Sequence, residues 1–273
     1  VLEAYESWPM GISMGVQTPA EKMQEAKDAG FDYVEVGMPR KRDMTAEERA
    51  EGIERFRADA ERVGITVWSV HLPFGRDWDP SDTNEEVRVR NVADVGAMIE
   101  LLAPLKPQKL VIHASYEPIA DSVREDKFSA TIKSFNELAP YAKKIGAQLL
   151  IEDLPRTCLG NTAEEMHRLL AAVDPSIGVC FDTNHLLKET PQEFARSMGS
   201  HIKSLHVSDY DMIDERHWLM GNGVIEWEDL IAAIAESGYD GVFMFEVGGY
   251  KSYQEVTDTW TAMRERLAVA GKK

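Results

Sequence analysis

Residues 149–207 read LLIEDLPRTCLGNTAEEMHRLLAAVDPSIGVCFDTNHLLKETPQEFARSMGSHIKSLHV. Within them a short apolar run meets an ionisable residue, a charged amphipathic segment follows, and the pattern starts again. Leu149–Ile151 stops at Glu152, Ile177–Phe181 stops at Asp182, and Ile202–Val207 carries His206. These runs are apolar on consecutive positions rather than alternating, as parallel strands buried on both faces require. Helix starts are marked between them: Thr162 with Glu165 has capping-box spacing, and Thr190-Pro191 with Glu193 adds a first-turn proline. The order is therefore strand, helix, strand, helix, strand, with every strand running the same way.

The same rhythm continues to both sides. Upstream lie Ile12–Val16, Tyr33–Val36, Ile65–Val70 and Leu110–Ile112, and downstream lies Val242–Phe245. Thr18-Pro19 with Glu21 and Thr45 with Glu48 open further helices. Gly30, Gly64, Gly146 and Gly238 stand just after helical segments and before strands, where a left-handed residue ends a helix. Eight such units without a linker predict an α/β protein, a single (β/α)8 TIM barrel, with residues 1–273 as one domain.

Composition narrows the function. Hydrophobic residues make up 44% of the 273, enough for a large core, and no apolar run reaches the roughly 18 residues of a membrane span. Val1–Pro9 has no signal-peptide pattern, so a cytoplasmic location is expected, with a leader removed ahead of Val1 as the alternative. The 30 basic and 47 acidic side chains give a net charge of −17, which disfavours nucleic acid and anionic membrane as partners. The basic triplet Arg40-Lys41-Arg42 is answered by Asp43, Glu47 and Glu48 and reads as solvated loop. Cys158 and Cys180 have no metal or redox spacing. Apolar positions expected on the outer helices would suit a homodimer.

Six runs stop at or near an ionisable residue: His71, His113, Glu152, Asp182, His206 and Glu246. A barrel brings all its strand C-termini to one face, where active sites are built, so these six should converge. Carboxylates as close as Glu152, Asp182 and Glu246 would be repel one another unless a cation or a shared proton intervenes. With His206 they make a set of three oxygen donors and one imidazole. That set suits one divalent metal ion, Mn, Mg or Co ahead of Zn. His185 follows Asp182 by three positions and is read as a further ligand, a substrate partner or a support for the other ligands. Arg216 and His217, before Gly221-Asn222-Gly223, are candidate substrate contacts, as are His71 and His113. Glu35, near the end of strand two, is a weaker candidate, and Trp8, Phe74 and Trp218 are candidate pocket walls. His167 and His201 are read as structural or solvent-facing.

With these pieces in place, the chain resembles the xylose isomerase-like TIM barrel superfamily, in its sugar phosphate isomerase/epimerase branch, from Gly11 to Leu267. The matching phrases are Gly30-Phe31-Asp32-Tyr33-Val34-Glu35, Ile151-Glu152-Asp153, Phe181-Asp182-Thr183-Asn184-His185, Leu205-His206-Val207-Ser208-Asp209, Phe245-Glu246 and the Gly221-Asn222-Gly223 loop. The resemblance implies that Glu152, Asp182, His206 and Glu246 hold one catalytic metal. It gives Glu152 and Glu246 the acid/base work, and His185 and Arg216 the substrate oxygens. Asp153 stands where many relatives carry Asn, and Met220 where they carry Pro.

The expected activity is that of a divalent-metal-dependent isomerase or epimerase on a keto-sugar or polyol, by proton transfer through a metal-bound enediolate. Three alternatives share the motifs. One is a dehydratase or lyase on an inosose-like or keto-sugar substrate, and another is a non-catalytic sugar-binding barrel. The third is a tri-zinc apurinic endonuclease-like phosphodiesterase, in which His71, His113 and His185 would be extra ligands. In those enzymes the loop acid and histidine are two positions apart, whereas Asp214 and His217 are three apart. Arg156, Lys188 and Arg216 are the cations available for a phosphate on the substrate.

Overall fold

The computed structural model describes residues 4–270, so Val1, Leu2 and Glu3 of the stretch read for a leader lie outside the described residues. Among the described residues, eight strands alternate with eight helices. The strands are β1 (Met10–Gly15), β2 (Tyr33–Gly37), β3 (Thr66–His71), β4 (Lys109–His113), β5 (Gln148–Glu152), β6 (Gly178–Asp182), β7 (Ile202–His206) and β8 (Phe243–Phe245). The helices are α1 (Ala20–Asp28), α2 (Ala46–Val63), α3 (Glu85–Leu101), α4 (Asp121–Lys144), α5 (Ala163–Ala172), α6 (Pro191–Met198), α7 (Trp227–Glu236) and α8 (Tyr253–Ala270). Each strand pairs in parallel with its chain neighbours, and β1 also pairs with β8. Between β7 and β8 the ring closes through a single parallel bridge, Val207 to Phe245. There the Val207 amide donates to the Met244 carbonyl at 2.8 Å, and the Glu246 amide donates to the Val207 carbonyl at 3.1 Å. The protein is a single (β/α)8 TIM barrel.

The helix starts follow the local chemistry with one shift. Thr45 and Thr190 form complete capping boxes with Glu48 and Glu193, worth about 1 kcal/mol each. Thr162 accepts from the Glu165 amide, but the Glu165 carboxylate turns instead to Arg124 and to the Gly160 amide. Thr18 caps nothing: its own amide closes a turn onto the Gly15 carbonyl, and α1 begins after Pro19. Gly30, Gly64, Gly146 and Gly238 all adopt positive φ.

Large aliphatic and aromatic side chains fill the shell between strands and helices. Two smaller clusters occupy the barrel interior, one of Trp68, Val242 and Met244 and one of Val111, Leu150 and Cys180. Gly11 packs beside the first of these, where a Cβ would lie 2.6 Å from Met244 Cε and 2.7 Å from Val242 Cγ1, so both side chains would have to shift. The basic triplet is not simply solvated. Arg42 reaches the Asp77 carbonyl and Asp94, and the Arg40 carbonyl accepts from the Trp78 indole, so the β2 and β3 loops dock on each other. Exposed large apolar side chains lie on two outer helices, Val89 on α3 and Val123 on α4, and more of them on loops. Met212, Ile213, Trp218 and Val224 share the loop after β7, and Tyr116 is on the loop after β4. Among the described residues, no helix is long and apolar enough to cross a membrane.

Candidate active site

Strands β3 to β7 each end on an ionisable residue, namely His71, His113, Glu152, Asp182 and His206, while Glu246 directly follows β8. The parallel register sets Asp182 beside His206 and His113 beside Glu152. Glu152, Asp182, His206 and Glu246 therefore converge, each offering one ligand atom within 4.8 Å of the others. His206 is at the centre. Its Nδ1 lies 2.9 Å from Glu152 Oε1, 2.9 Å from Glu246 Oε2 and 3.8 Å from Asp182 Oδ2. Its Nε2 faces down the barrel, 2.8 Å from Glu35 Oε1, without the alignment of a hydrogen bond. Glu35 is fully buried and accepts from the Ser69 hydroxyl at 2.7 Å. It lies beneath the quartet as an anionic support for His206 and does not line the cavity.

The remaining oxygen of Glu152 takes two imidazoles, His71 at 3.1 Å and His113 at 3.0 Å. His71 Nδ1 lies 2.9 Å from the Leu72 carbonyl. Both His71 nitrogens therefore face acceptors, which favours the imidazolium. Burial works against that charge, but Glu152, with Glu35 and Glu246 behind it, lifts His71 to about 9. His113 is pushed the other way, below its ordinary value, chiefly by burial. Its ring stacks on Phe74 at 4.2 Å, and Phe74 lines the cavity. Trp8 instead stacks on Phe243 in the core, and Trp218 is part-exposed outside the cavity.

The carboxylates differ in their electrostatics. Burial raises Glu152, but His206 and His113 outweigh it and hold its carboxyl well below the usual range. Burial also raises Glu246, and His206 brings it down to about 2. For Asp182 burial prevails, helped by Glu246 and Glu152 and opposed by His185, and the group is pushed up to about 6. Asp182 Oδ2 is buried without a hydrogen-bond partner. The neighbouring Asp153, which accepts from the Asp182 amide at 2.7 Å, is pushed well up by burial. So many acidic oxygens around one imidazole form a site that a bound cation would relieve.

His185 sits at 2.8 Å from the Asp153 carbonyl through Nδ1, and its Nε2 is 3.2 Å from Glu215 Oε2 and 3.6 Å from Asp182 Oδ2. Glu215, not Asp214, joins His185 and His217 in a second group able to hold a metal; His71, His113 and Glu152 make a third. Glu215 and His217 are two positions apart, so the three-residue spacing noted between Asp214 and His217 does not describe this group. His217 lines the cavity. Arg216 does not, because Asp211 holds its guanidinium at 2.8 Å on the outer side of the loop. Lys188 is exposed and also outside the cavity. Arg156 does line it, with its guanidinium bound to Glu117, Asp214 and Glu215.

The cavity at this face measures about 250 Å³. A wider groove of about 570 Å³ opens at the N-terminal ends of β4 and β5, but neither carboxylate nor imidazole lines it. The strand-end cavity is where the carboxylates and imidazoles gather. His201 lies exposed just ahead of β7, with its ring 6.3 Å from that of His167, well away from the cavity.

Asp209 carries a role that its sequence neighbourhood does not suggest. Its buried carboxylate accepts from the amides of Tyr210, Gly221 and Ile225 and from the Trp227 indole. The loop that brings Glu215 and His217 to the cavity is folded around this one side chain. Gly223 is needed for that reason and not for a ligand, since any Cβ there would collide with the Asp209 carboxylate and the Tyr210 carbonyl.

A family model described as xylose isomerase-like TIM barrel matches residues 23–268. An uncharacterised protein of Methanocaldococcus jannaschii is 27% identical over 216 residues, covering 75% of this chain and 71% of its own. The fructoselysine 3-epimerase of Shigella flexneri is 21% identical and covers 82% of this chain and 83% of its own. Among solved structures, a D-tagatose 3-epimerase-like protein superposes with a TM-score of 0.79 at 23% identity, covering 96% of this chain and 99% of that one. At that identity the likeness is one of fold.

Proposed function

This chain belongs to the xylose isomerase-like TIM barrel family, and on that premise we propose that it is a divalent-metal-dependent isomerase or epimerase of a keto-sugar or polyol. The observation that carries the reading is the convergence of Glu152, Asp182, His206 and Glu246 within 4.8 Å, with Glu152 and Glu246 lining the strand-end cavity. The donor set fits a hard divalent cation, since such an ion would offset most of the negative charge of three carboxylates that burial makes costly. Those four residues would hold it, and when bound it would supply Lewis acidity toward substrate oxygens.

The chain's own residues would handle the protons. Glu152 and Glu246 both line the cavity, and both are held ionised, the state a general base needs. One would take the proton from the carbon beside the carbonyl and the other would return it. Return to the opposite face gives epimerisation, and return to the neighbouring carbon gives isomerisation. Loss of a neighbouring hydroxyl in place of return would make the same pair a dehydratase, and product analysis separates these outcomes. His71 and His113, both against Glu152, would orient that base.

The test is metal content by elemental mass spectrometry on the protein and its Glu152→Gln and Glu246→Gln variants, with turnover of keto-sugars. One divalent metal per chain, lost in the variants together with turnover, supports the reading. A protein that binds no metal even with excess Mn would end it. A second reading, a three-metal phosphodiester hydrolase, is favoured by one observation, the three ligand groups. The charge of −17 opposes a polyanionic substrate. Three zinc ions per chain and nicking of abasic DNA would favour that reading.

A further inference from the structure

The end of the barrel opposite the strand-end cavity carries the reverse charge pattern. A groove of about 570 Å³ opens there between the N-terminal ends of β4 and β5, the last turns of α4 and the turn ahead of β4. Three lysines line it, Lys106, Lys109 and Lys143, and among the described residues no carboxylate does. That is a local excess of cations in a chain with 47 acidic and 30 basic side chains.

The three lysines are held differently. Lys143 Nζ pairs with Asp174 Oδ2 at 2.7 Å, and Asp174 also accepts from the Ser176 hydroxyl and amide. Lys109 Nζ donates to the Gln148 side-chain oxygen at 2.8 Å and lies 5.5 Å over the Trp68 ring. Among the described residues, neither Lys106 nor Lys109 forms an ion pair with a carboxylate. Lys106 also ends the turn Ala103–Leu105 in the left-handed region, at φ 49°, a conformation that favours glycine or asparagine. A long cation is thus kept at a place where a smaller residue would cost less.

Burial lowers the Lys109 ammonium below its ordinary range, and nearby Lys203 lowers it further, with Asp240 opposing both. Lys109 and Lys203 share a smaller recess at the N-terminal mouth of the barrel, so the positive charge continues beyond the groove. Ammonium groups crowded without a counter-ion gain from an anion, the mirror image of the carboxylates on the opposite face. Charges more than about 8–10 Å away are largely screened at physiological ionic strength, so the lysines of the wall set the potential inside the groove. An ammonium is a point charge with three donors and no planar fork. Several of them around one groove suit an anion whose charge is spread over many oxygens.

We propose that this groove is a binding site for a small multivalent phosphate of the di- or triphosphate type, held by Lys106 and Lys109 with Lys143 at its edge. The site is separate from the strand-end cavity and does not depend on the sugar reading.

The experiment titrates inorganic pyrophosphate, then inorganic triphosphate and ATP, into the full chain at low ionic strength, followed by calorimetry and by backbone-amide NMR. The amide shifts distinguish this groove from the strand-end face, where a bound metal could also take phosphate. Pyrophosphate is expected to bind with a Kd of about 1 mM or tighter and to shift the amides of Gly146, Ala147, Gln148 and Ser176. The Lys106→Gln/Lys109→Gln double variant, its fold checked by circular dichroism, should bind about tenfold or more weakly. Lys106→Gln alone, at an exposed position outside the core, should weaken binding about threefold or more. ATP binding tighter than triphosphate would seat a base on Ala139, Ala142 and Ile145, and equal affinity would make the phosphate chain the whole ligand; either supports the site. Groove amides that do not move at about 10 mM pyrophosphate, shifts confined to the strand-end face, or folded variants with unchanged affinity overturn it.

Discussion

Replacing Asp209 with Ala should be among the most destabilising single changes in the loop that completes the site. The carboxylate accepts at 2.9 Å from the Tyr210 amide, 2.9 Å from the Gly221 amide, 3.3 Å from the Ile225 amide and 2.9 Å from the Trp227 indole. A hydrogen bond to a charged acceptor contributes about 1.5–3 kcal/mol, so four would give roughly 6–12 kcal/mol as an upper bound. Two effects reduce it. Loop amides freed from Asp209 can be rehydrated, and the variant no longer buries a charge. We expect a loss of about 3–5 kcal/mol, a large part of the roughly 5–15 kcal/mol that stabilises a typical protein. Asp209→Asn keeps one oxygen but aims an amide NH2 at two of the donors, and should lose about half as much. Urea unfolding followed by far-UV circular dichroism measures both. A loss below about 1 kcal/mol for the alanine variant, or an asparagine variant as stable as wild type, would refute this account of how the loop is held.

Glu152→Gln and Glu246→Gln should each lower turnover of a keto-sugar substrate by about 10²–10⁴-fold, read by steady-state kinetics, since general acid/base groups contribute on that scale. Glu35→Gln removes the anion beneath His206 and should weaken metal affinity by about 10–100-fold, measured by competition with a chromophoric chelator. Metal affinity should also fall as pH drops through about 6. Asp182 is raised to about 6 in the metal-free protein and, against its burial, His206 well above the usual imidazole range by its neighbouring carboxylates, so at low pH a cation must displace both protons. Calorimetry at pH 5, 6 and 7 in buffers of different ionisation heat would show proton uptake or release. Affinity independent of pH over this window would contradict the assignment of Asp182 and His206 to the metal group. In the metal-free protein the same raised pKa has the opposite sign for folding. The contribution is present at low pH and is lost as pH rises through about 6, because the folded state holds the proton more tightly than the unfolded chain.

The barrel and its strand-end residues were legible because they depend on local pattern. Leu149–Glu152 and Val179–Asp182 carry an uninterrupted apolar run and a terminal acid, and the parallel register does the rest. The fold then converts sequence positions far apart into neighbours. What lay outside that logic was decided by loops. Nothing local distinguishes Glu215 from Asp214, and only the course of the loop around Asp209 selects Glu215 to face His185. Arg216 has the right charge for a substrate contact, yet Asp211 takes it five residues back along the chain. Glu35 was the recoverable case. A carboxylate in the middle of the buried run Tyr33-Val34-Glu35-Val36 is too costly to be there without a partner. The partners, Ser69 and His206, come from β3 and β7 and are brought together only by closure.

That closure has a mechanical consequence. The barrel is a hoop whose joint is the narrow Val207–Phe245 bridge, while its other seams are laddered over several residues. His206 and Glu246 stand on either side of the joint, one residue from each end of the bridge. A cation gripped by both would act as a rivet across the weakest part of the ring. Loading the site would then add a second fastening beside the two backbone hydrogen bonds that already close the ring there.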